Sequence, residues 1–245
     1  MTGRLKGIVL LLAIGWSPSS FANHWLMGVE AAHVATSATW NVSIYPNGGF
    51  NTAPLFAPAQ PAKNQGSLIG VWMGYEQFYK SAMATLELHV QSGPSDKPHS
   101  AQFSSNTASY QAQGAYQRGA TIELSSRIGL ITPRPFIPFI RLGATSSYDK
   151  INYLLLVSPS GNLNHAASNK HHQYGWLAGL GFEVQCFRDS MVPWLRTTAL
   201  IAEYNYAQQQ RFNYRDARSP INGEYSIRPT HHVWRVGLVW KQPAK

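Results

Sequence analysis

Residues 231–241 read HHVWRVGLVWK, and the alternation in this stretch decides the fold. One face carries His232, Trp234, Val236, Leu238 and Trp240. The other carries Val233, Arg235, Gly237, Val239 and Lys241. Side chains alternate with period two along a strand, whereas a helix would mix the two sets. At about 3.4 Å per residue the two indoles stand roughly 20 Å apart, and a strand tilt of about 40° turns that into about 15 Å of depth. That depth fits within the apolar band, about 25 Å tall, of an outer-membrane barrel. Indoles bracketing an apolar stripe predict a membrane-crossing strand.

Composition agrees. The chain has 245 residues, of which 13% are charged and 44% apolar. Soluble domains carry about 25% charge. No window reaches the ~18 consecutive apolar residues of a membrane helix, so the apolar residues are spread by alternation. At the N-terminus Arg4 and Lys6 precede the apolar run IVLLLAI at 8–14, then Pro18 and Ser20-Phe21-Ala22. This is the layout of a signal peptide over 1–22, with cleavage expected before Asn23. Loss of Arg4 and Lys6 takes the formal net charge from +9 to +7. A basic chain can bind nucleic acid, but an exported one meets anionic lipopolysaccharide instead, so no nucleic-acid partner is expected. With Cys186 as the single cysteine, an internal disulfide is excluded, and stability has to come from sheet closure.

The double-faced pattern recurs at residues 24–34, 66–79, 81–91, 116–130, 136–148, 172–186 and 192–210. With the last strand this makes eight. The connections alternate long and short, with long polar loops at 35–65, 93–115, 150–170 and 211–229 and short turns between. Such a meander predicts an all-β fold: an eight-stranded antiparallel up-and-down transmembrane barrel over residues 23–245. The seventh strand fits least well, because placing Glu203 and Asn205 on the polar face puts Arg196 on the apolar one. A bulge or a snorkelling Arg is expected there.

Alternation alone does not say which face is inside. The charged face is also the glycine face, with Gly28, Gly70, Gly74, Gly129, Gly143, Gly179, Gly181 and Gly237. Glycine weakens a solvent-facing strand and gains nothing there, whereas a narrow lumen needs small residues. The apolar face carries Trp25, Trp176, Trp234 and Trp240 near strand ends, a lipid-interface girdle. The charged face then lines the lumen. Glu30, Glu76, Glu87, Glu123, Glu183 and Glu203 supply one carboxylate from each of six strands, with Arg127, Arg141 and Arg235 as partners and Lys241 at the periplasmic mouth. Buried charges must be paired, so an ion-pair belt across the lumen is expected.

The runs Phe139-Ile140-Arg141-Leu142-Gly143-Ala144, 175–183 (GWLAGLGFE) and Glu203-Tyr204-Asn205-Tyr206 resemble the small eight-stranded outer-membrane barrels of the OmpA-transmembrane, OmpX and opacity-protein type. The likeness covers the mature chain in layout and its C-terminal half in detail. It implies the outer membrane of a Gram-negative cell, insertion by the outer-membrane assembly machinery, and a role in envelope integrity, adhesion or small-solute passage. Family members end on an aromatic residue; here Trp240 is followed by Lys241-Gln242-Pro243-Ala244-Lys245.

Two other chemistries compete. His165 and Ser168 stand near each other, but as His-x-x-Ser in an expected loop, not the His-x-Ser on a strand of lipid A deacylases, and no third group orients them. The pairs His171-His172 and His231-His232 sit at the long-loop rim without a carboxylate at ligand spacing, so they read as wet interface histidines, not a metal centre. The expectation is a monomeric, non-enzymatic barrel without cofactor or metal. Its lumen is plugged, outer-membrane lipids and lipopolysaccharide surround it, and four exposed loops would meet any host or surface ligand. A narrow ion or solute porin is the first alternative and a lipid A-modifying enzyme the second.

Overall fold

A computed structural model describes residues 23–45, 55–93, 101–104, 110–133, 135–157, 163–187, 189–216 and 222–244. The signal-peptide expectation for residues 1–22 lies outside them. Eleven strands form one antiparallel sheet: β1 (Asn23–Tyr45), β2 (Leu55–Tyr79), β3 (Ala82–Ser92), β4 (Ala101–Ser104), β5 (Tyr110–Gln117), β6 (Thr121–Leu130), β7 (Phe136–Val157), β8 (Leu163–Val184), β9 (Thr198–Gln209), β10 (Phe212–Asp216) and β11 (Asn222–Pro243).

Eight of them close a barrel. The pairings run β1–β2–β3–β6–β7–β8–β9–β11 and return to β1, where Glu30 lies opposite Gly237 and Ala32 opposite Arg235. Closure satisfies every edge, the condition for a sheet to cross lipid. The remaining strands extend it at one end. β5 pairs with the outer part of β7, β4 with β5, and β10 with β11.

Alternation places the side chains. Along β6, Leu124 is 52% exposed while its neighbour Glu123 is 3% exposed. The same inversion holds on β1, β2, β3, β7, β8 and β11: Met27, Val71, Leu88, Leu142, Leu180 and Val236 face out, and Glu30, Glu76, Glu87, Arg141, Glu183 and Arg235 are buried, as is Arg127 on β6. The fold is the membrane kind of barrel, not the lipocalin kind.

Several expectations are corrected. Residues 35–65 and 150–170 are not loops for most of their length. β1 and β2 stay paired to Ile44 opposite Leu55, and β7 and β8 to Val157 opposite Leu163. The apolar run Leu154-Leu155-Leu156-Val157 thus belongs to β7, between β5 and β8. The fourth expected strand is broken at residues 118–120, where the Gly119 amide donates to Asp149 Oδ1 (3.1 Å). There a Cβ on residue 119 would collide with the Tyr148 carbonyl. The seventh strand starts only at Thr198, after a helical turn α1 (Pro193–Arg196). Arg196 lies in that turn, exposed, and its Nε donates to the Ser190 carbonyl (2.6 Å). No bulge and no snorkelling Arg is needed, because Arg196 precedes the strand whose parity it seemed to break. Lys80, in the two-residue turn between β2 and β3, takes the left-handed conformation at φ 51°.

Candidate functional site

The lumen is filled in layers. At the short-turn mouth Lys241 Nζ reaches Glu76 Oε2 (2.8 Å) and Glu183 Oε1 (2.5 Å). Glu183 Oε2 continues to Arg127 Nη1 (3.3 Å), and Arg127 Nε to Glu87 Oε1 (2.5 Å). The Arg127 guanidinium lies over the Phe139 ring (4.8 Å) and the Trp72 ring (5.6 Å). Around it packs an apolar layer of Leu26, Trp72, Met83, Ile137, Phe139, Ala199, Ile201 and Val239.

Above that layer the charges close into a ring. Glu87 Oε2 meets Arg141 Nη2 (2.8 Å), and Arg141 Nη1 meets Glu123 Oε1 (2.9 Å). Glu123 Oε2 meets Arg235 Nη2 (2.7 Å), and Arg235 Nε lies 3.5 Å from Glu30 Oε2. His89 completes the circuit, its Nδ1 3.0 Å from Glu30 Oε2 and its Nε2 3.1 Å from Glu87 Oε2. Glu203 bridges Arg141 Nε (3.0 Å) and Arg235 Nη1 (2.8 Å). Gln91 Nε2 donates to Glu30 Oε1 (2.8 Å). All nine charged residues singled out from the sequence are buried, and one connected network joins them with Lys241.

Position gives one pair special weight. Glu123 stands on β6 and Arg235 on β11, four strands apart in either direction around the barrel. Their contact therefore crosses the full width of the lumen. A second apolar layer, Ala32, Val34, Leu68 and Val233, packs beyond the ring. Tight packing explains the glycines. A Cβ at Gly28 would overlap the Trp72 indole, and one at Gly70 would sit 2.8 Å from Glu30 Oε1.

At the outer end the polar groups form a separate set. Tyr116 donates to Asp149 Oδ2 (2.6 Å), Ser147 donates to the same oxygen (2.9 Å), and Gln209 Nε2 donates to Ser147 (2.7 Å). Burial and the adjacent Asp149 carboxylate push the Tyr116 phenol well above its usual range, which keeps it a donor. His231, read from sequence as a wet rim histidine, instead turns inward, fully buried, with Nδ1 2.8 Å from Thr36 Oγ1. His171 and His172 are exposed, and His232 faces out, its Nδ1 2.6 Å from the Tyr204 hydroxyl. Among the described residues no group of three His, Cys, Asp or Glu side chains is arranged to hold a metal.

The girdle residues divide between the two ends. Trp25 and Trp240 lie near the short turns and Trp176 and Trp234 near the long hairpins, paired with Tyr75 (ring centroids 5.0 Å from Trp25), Tyr206 (5.6 Å from Trp176) and Tyr204 (5.5 Å from Trp234). Sequence reasoning left His89 out of the belt. Its place on the inward face beside Glu87 was legible; that it spans to Glu30 on β1 was not, because only the closed barrel brings β3 and β1 within reach. The backbone of His165 and Ser168 lies in β8, not in a loop. Their side chains lie outside the described residues.

A closed antiparallel barrel with charges at its axis and apolar residues on its wall is a transmembrane β-barrel. Its long hairpins at one end and short turns at the other place it in the outer membrane. Among solved structures the chain is similar to Ail, the attachment invasion locus protein of Yersinia pestis, at 10% identity over 83% of this chain and 97% of that one, with a TM-score of 0.30. It is also similar to Neisserial surface protein A (13% identity, 82% and 97% covered, TM-score 0.29) and to the outer membrane protein OprG from Pseudomonas aeruginosa (13%, 89% and 97%, TM-score 0.34). No protein-family model and no curated protein matches the chain. With identities and scores this low, the class stands on the chain's own pairing and burial.

Proposed function

We propose that this chain is a non-conducting, non-enzymatic barrel that contributes to envelope integrity and presents its extended hairpins to the outside. The observation that carries the reading is the Glu123–Arg235 contact across the lumen. Arg141 and Glu203 brace it from the side, and an apolar layer lies on each face of the ring. An ion entering this lumen would have to part several buried ion pairs at once, each costly to break. Lipopolysaccharide and other outer-membrane lipids are the partners of the wall, and a surface ligand would be met by the outer hairpins.

One observation favours the narrow-channel alternative for part of the path. In the outer half, Arg118 Nη1, Thr145 Oγ1, His231 Nε2 and both amide atoms of Gln173 are buried without a protein partner. Water would satisfy them, giving a hydrated vestibule that stops at the ring. Planar-bilayer recording with purified protein tests the reading. Absence of steady conductance is expected; a steady ohmic current abolished by changing Arg141 would replace the plug with a pore.

A further inference from the structure

The pairing of β7 with β8 sets Lys150 directly opposite Lys170. Both hold outward positions, in step with Tyr148, Tyr174 and Trp176, which are exposed on the same face. Like charges directly opposite on a sheet repel and destabilise it. Among the described residues nothing nearby offsets them. The other neighbour of Lys150 is Gln117 on β5, and the outward pair beneath is Tyr148 opposite His172. Among the described residues no carboxylate pairs with either lysine.

The column beneath the lysines is aromatic. Tyr148 and His172 have ring centroids 4.7 Å apart, Tyr174 follows opposite Ser146, and Trp176 follows opposite Ala144. Depth locates the column. Counting from Val184 at the inner end of β8, an apolar band about 25 Å tall, crossed by strands tilted about 40°, ends near Tyr174. The lysines then stand about 10 Å further out, within the head-group layer, where flexible lysine stems keep their charge in the polar zone.

We infer that Lys150 and Lys170 clamp a phosphate of the phosphorylated glycolipid that forms the outer leaflet, with Tyr148, His172, Tyr174 and Trp176 along its sugar and the start of its acyl chains. A phosphate carries close to two negative charges and three acceptor oxygens, so one group neutralises both ammonium ions and removes their repulsion. Continuity of the lysine pair with the lipid-facing aromatic column selects a lipid over a soluble anion. The inference deepens the reading above and rests on its outer-membrane placement.

The test uses the purified full-length mature barrel and bis-phosphorylated lipid A, with bound lipid counted by native mass spectrometry. The double variant Lys150→Gln, Lys170→Gln should bind about ten- to thirtyfold more weakly than the parent. Lys80→Gln, at the short-turn end, should bind as the parent does. The double variant loses a repulsion, so it should fold, and heat-modifiable gel mobility checks that it has. Unchanged binding by the double variant, or an equal loss in Lys80→Gln, would overturn the site. So would displacement of the lipid by inorganic phosphate alone, which would mark a bare anion site. Recovery of the parent outside the outer-membrane fraction would instead overturn the placement on which the site rests.

Discussion

Glu123 and Arg235 come from strands on opposite sides of the barrel and meet at 2.7 Å on its axis. Neither could be tolerated there alone. Removing one partner of a buried pair costs about 3–5 kcal/mol, because the other charge is left without compensation. Glu123→Gln should lower stability by about that much, since Glu123 serves both Arg141 and Arg235. Urea unfolding in detergent micelles, followed by tryptophan emission, measures it. The double variant Glu123→Gln, Arg235→Gln should lose less than the sum of the two single changes; strict additivity would show that the two side chains do not interact.

The close fit around Trp72 gives a second prediction. Gly28→Ala drives a methyl into the indole, because the would-be Cβ overlaps the ring. Such overpacking costs about 1–3 kcal/mol. Shortening the ring with Trp72→Leu in the same chain should recover part of the loss. A Gly28→Ala barrel as stable as the parent would mean that Trp72 has room to move.

The wall is tested at Leu142, which is 55% exposed on the outward face of β7. Leu142→Arg places a cation near the middle of the apolar band and should cost about 2–4 kcal/mol in a bilayer. Refolding equilibria in phospholipid vesicles measure this. A Leu142→Arg barrel as stable as the parent would mean that this face is wet.

Orientation follows from Cys186, exposed just after β8 at the short-turn end. A membrane-impermeant maleimide should leave it unlabelled on intact cells and label it once the periplasm is opened. Labelling of intact cells would invert the barrel.

Much of this was legible in the sequence, and the reason is lipid. Where strands cross the band, an apolar solvent outside and a crowded lumen inside force alternation, so parity groups Glu30, Glu123 and Arg235 on one face, and the glycines they share it with mark that face as the lumen. Beyond the girdle that constraint lapses. The outer halves of β1 and β2 carry Pro58, Pro61 and polar residues, and they read as loop although cross-strand pairing continues through them. The seventh strand misled for a local reason: Pro193 and Trp194 open a helical turn, and the turn hides where the strand begins. Which Arg meets which Glu was also out of reach. Parity puts a side chain in the lumen, but its partner depends on the stagger of strands far apart in sequence.

The central claim is the inversion, with apolar side chains on lipid and charges at the axis. Nitroxide labels on Leu124→Cys and Ser125→Cys, in a Cys186→Ser background and reconstituted in lipid, test it on two consecutive residues. The account predicts high collision rates with dissolved oxygen at position 124 and immobile, oxygen-poor spectra at position 125. The reverse pattern would place the oily face inside and contradict it.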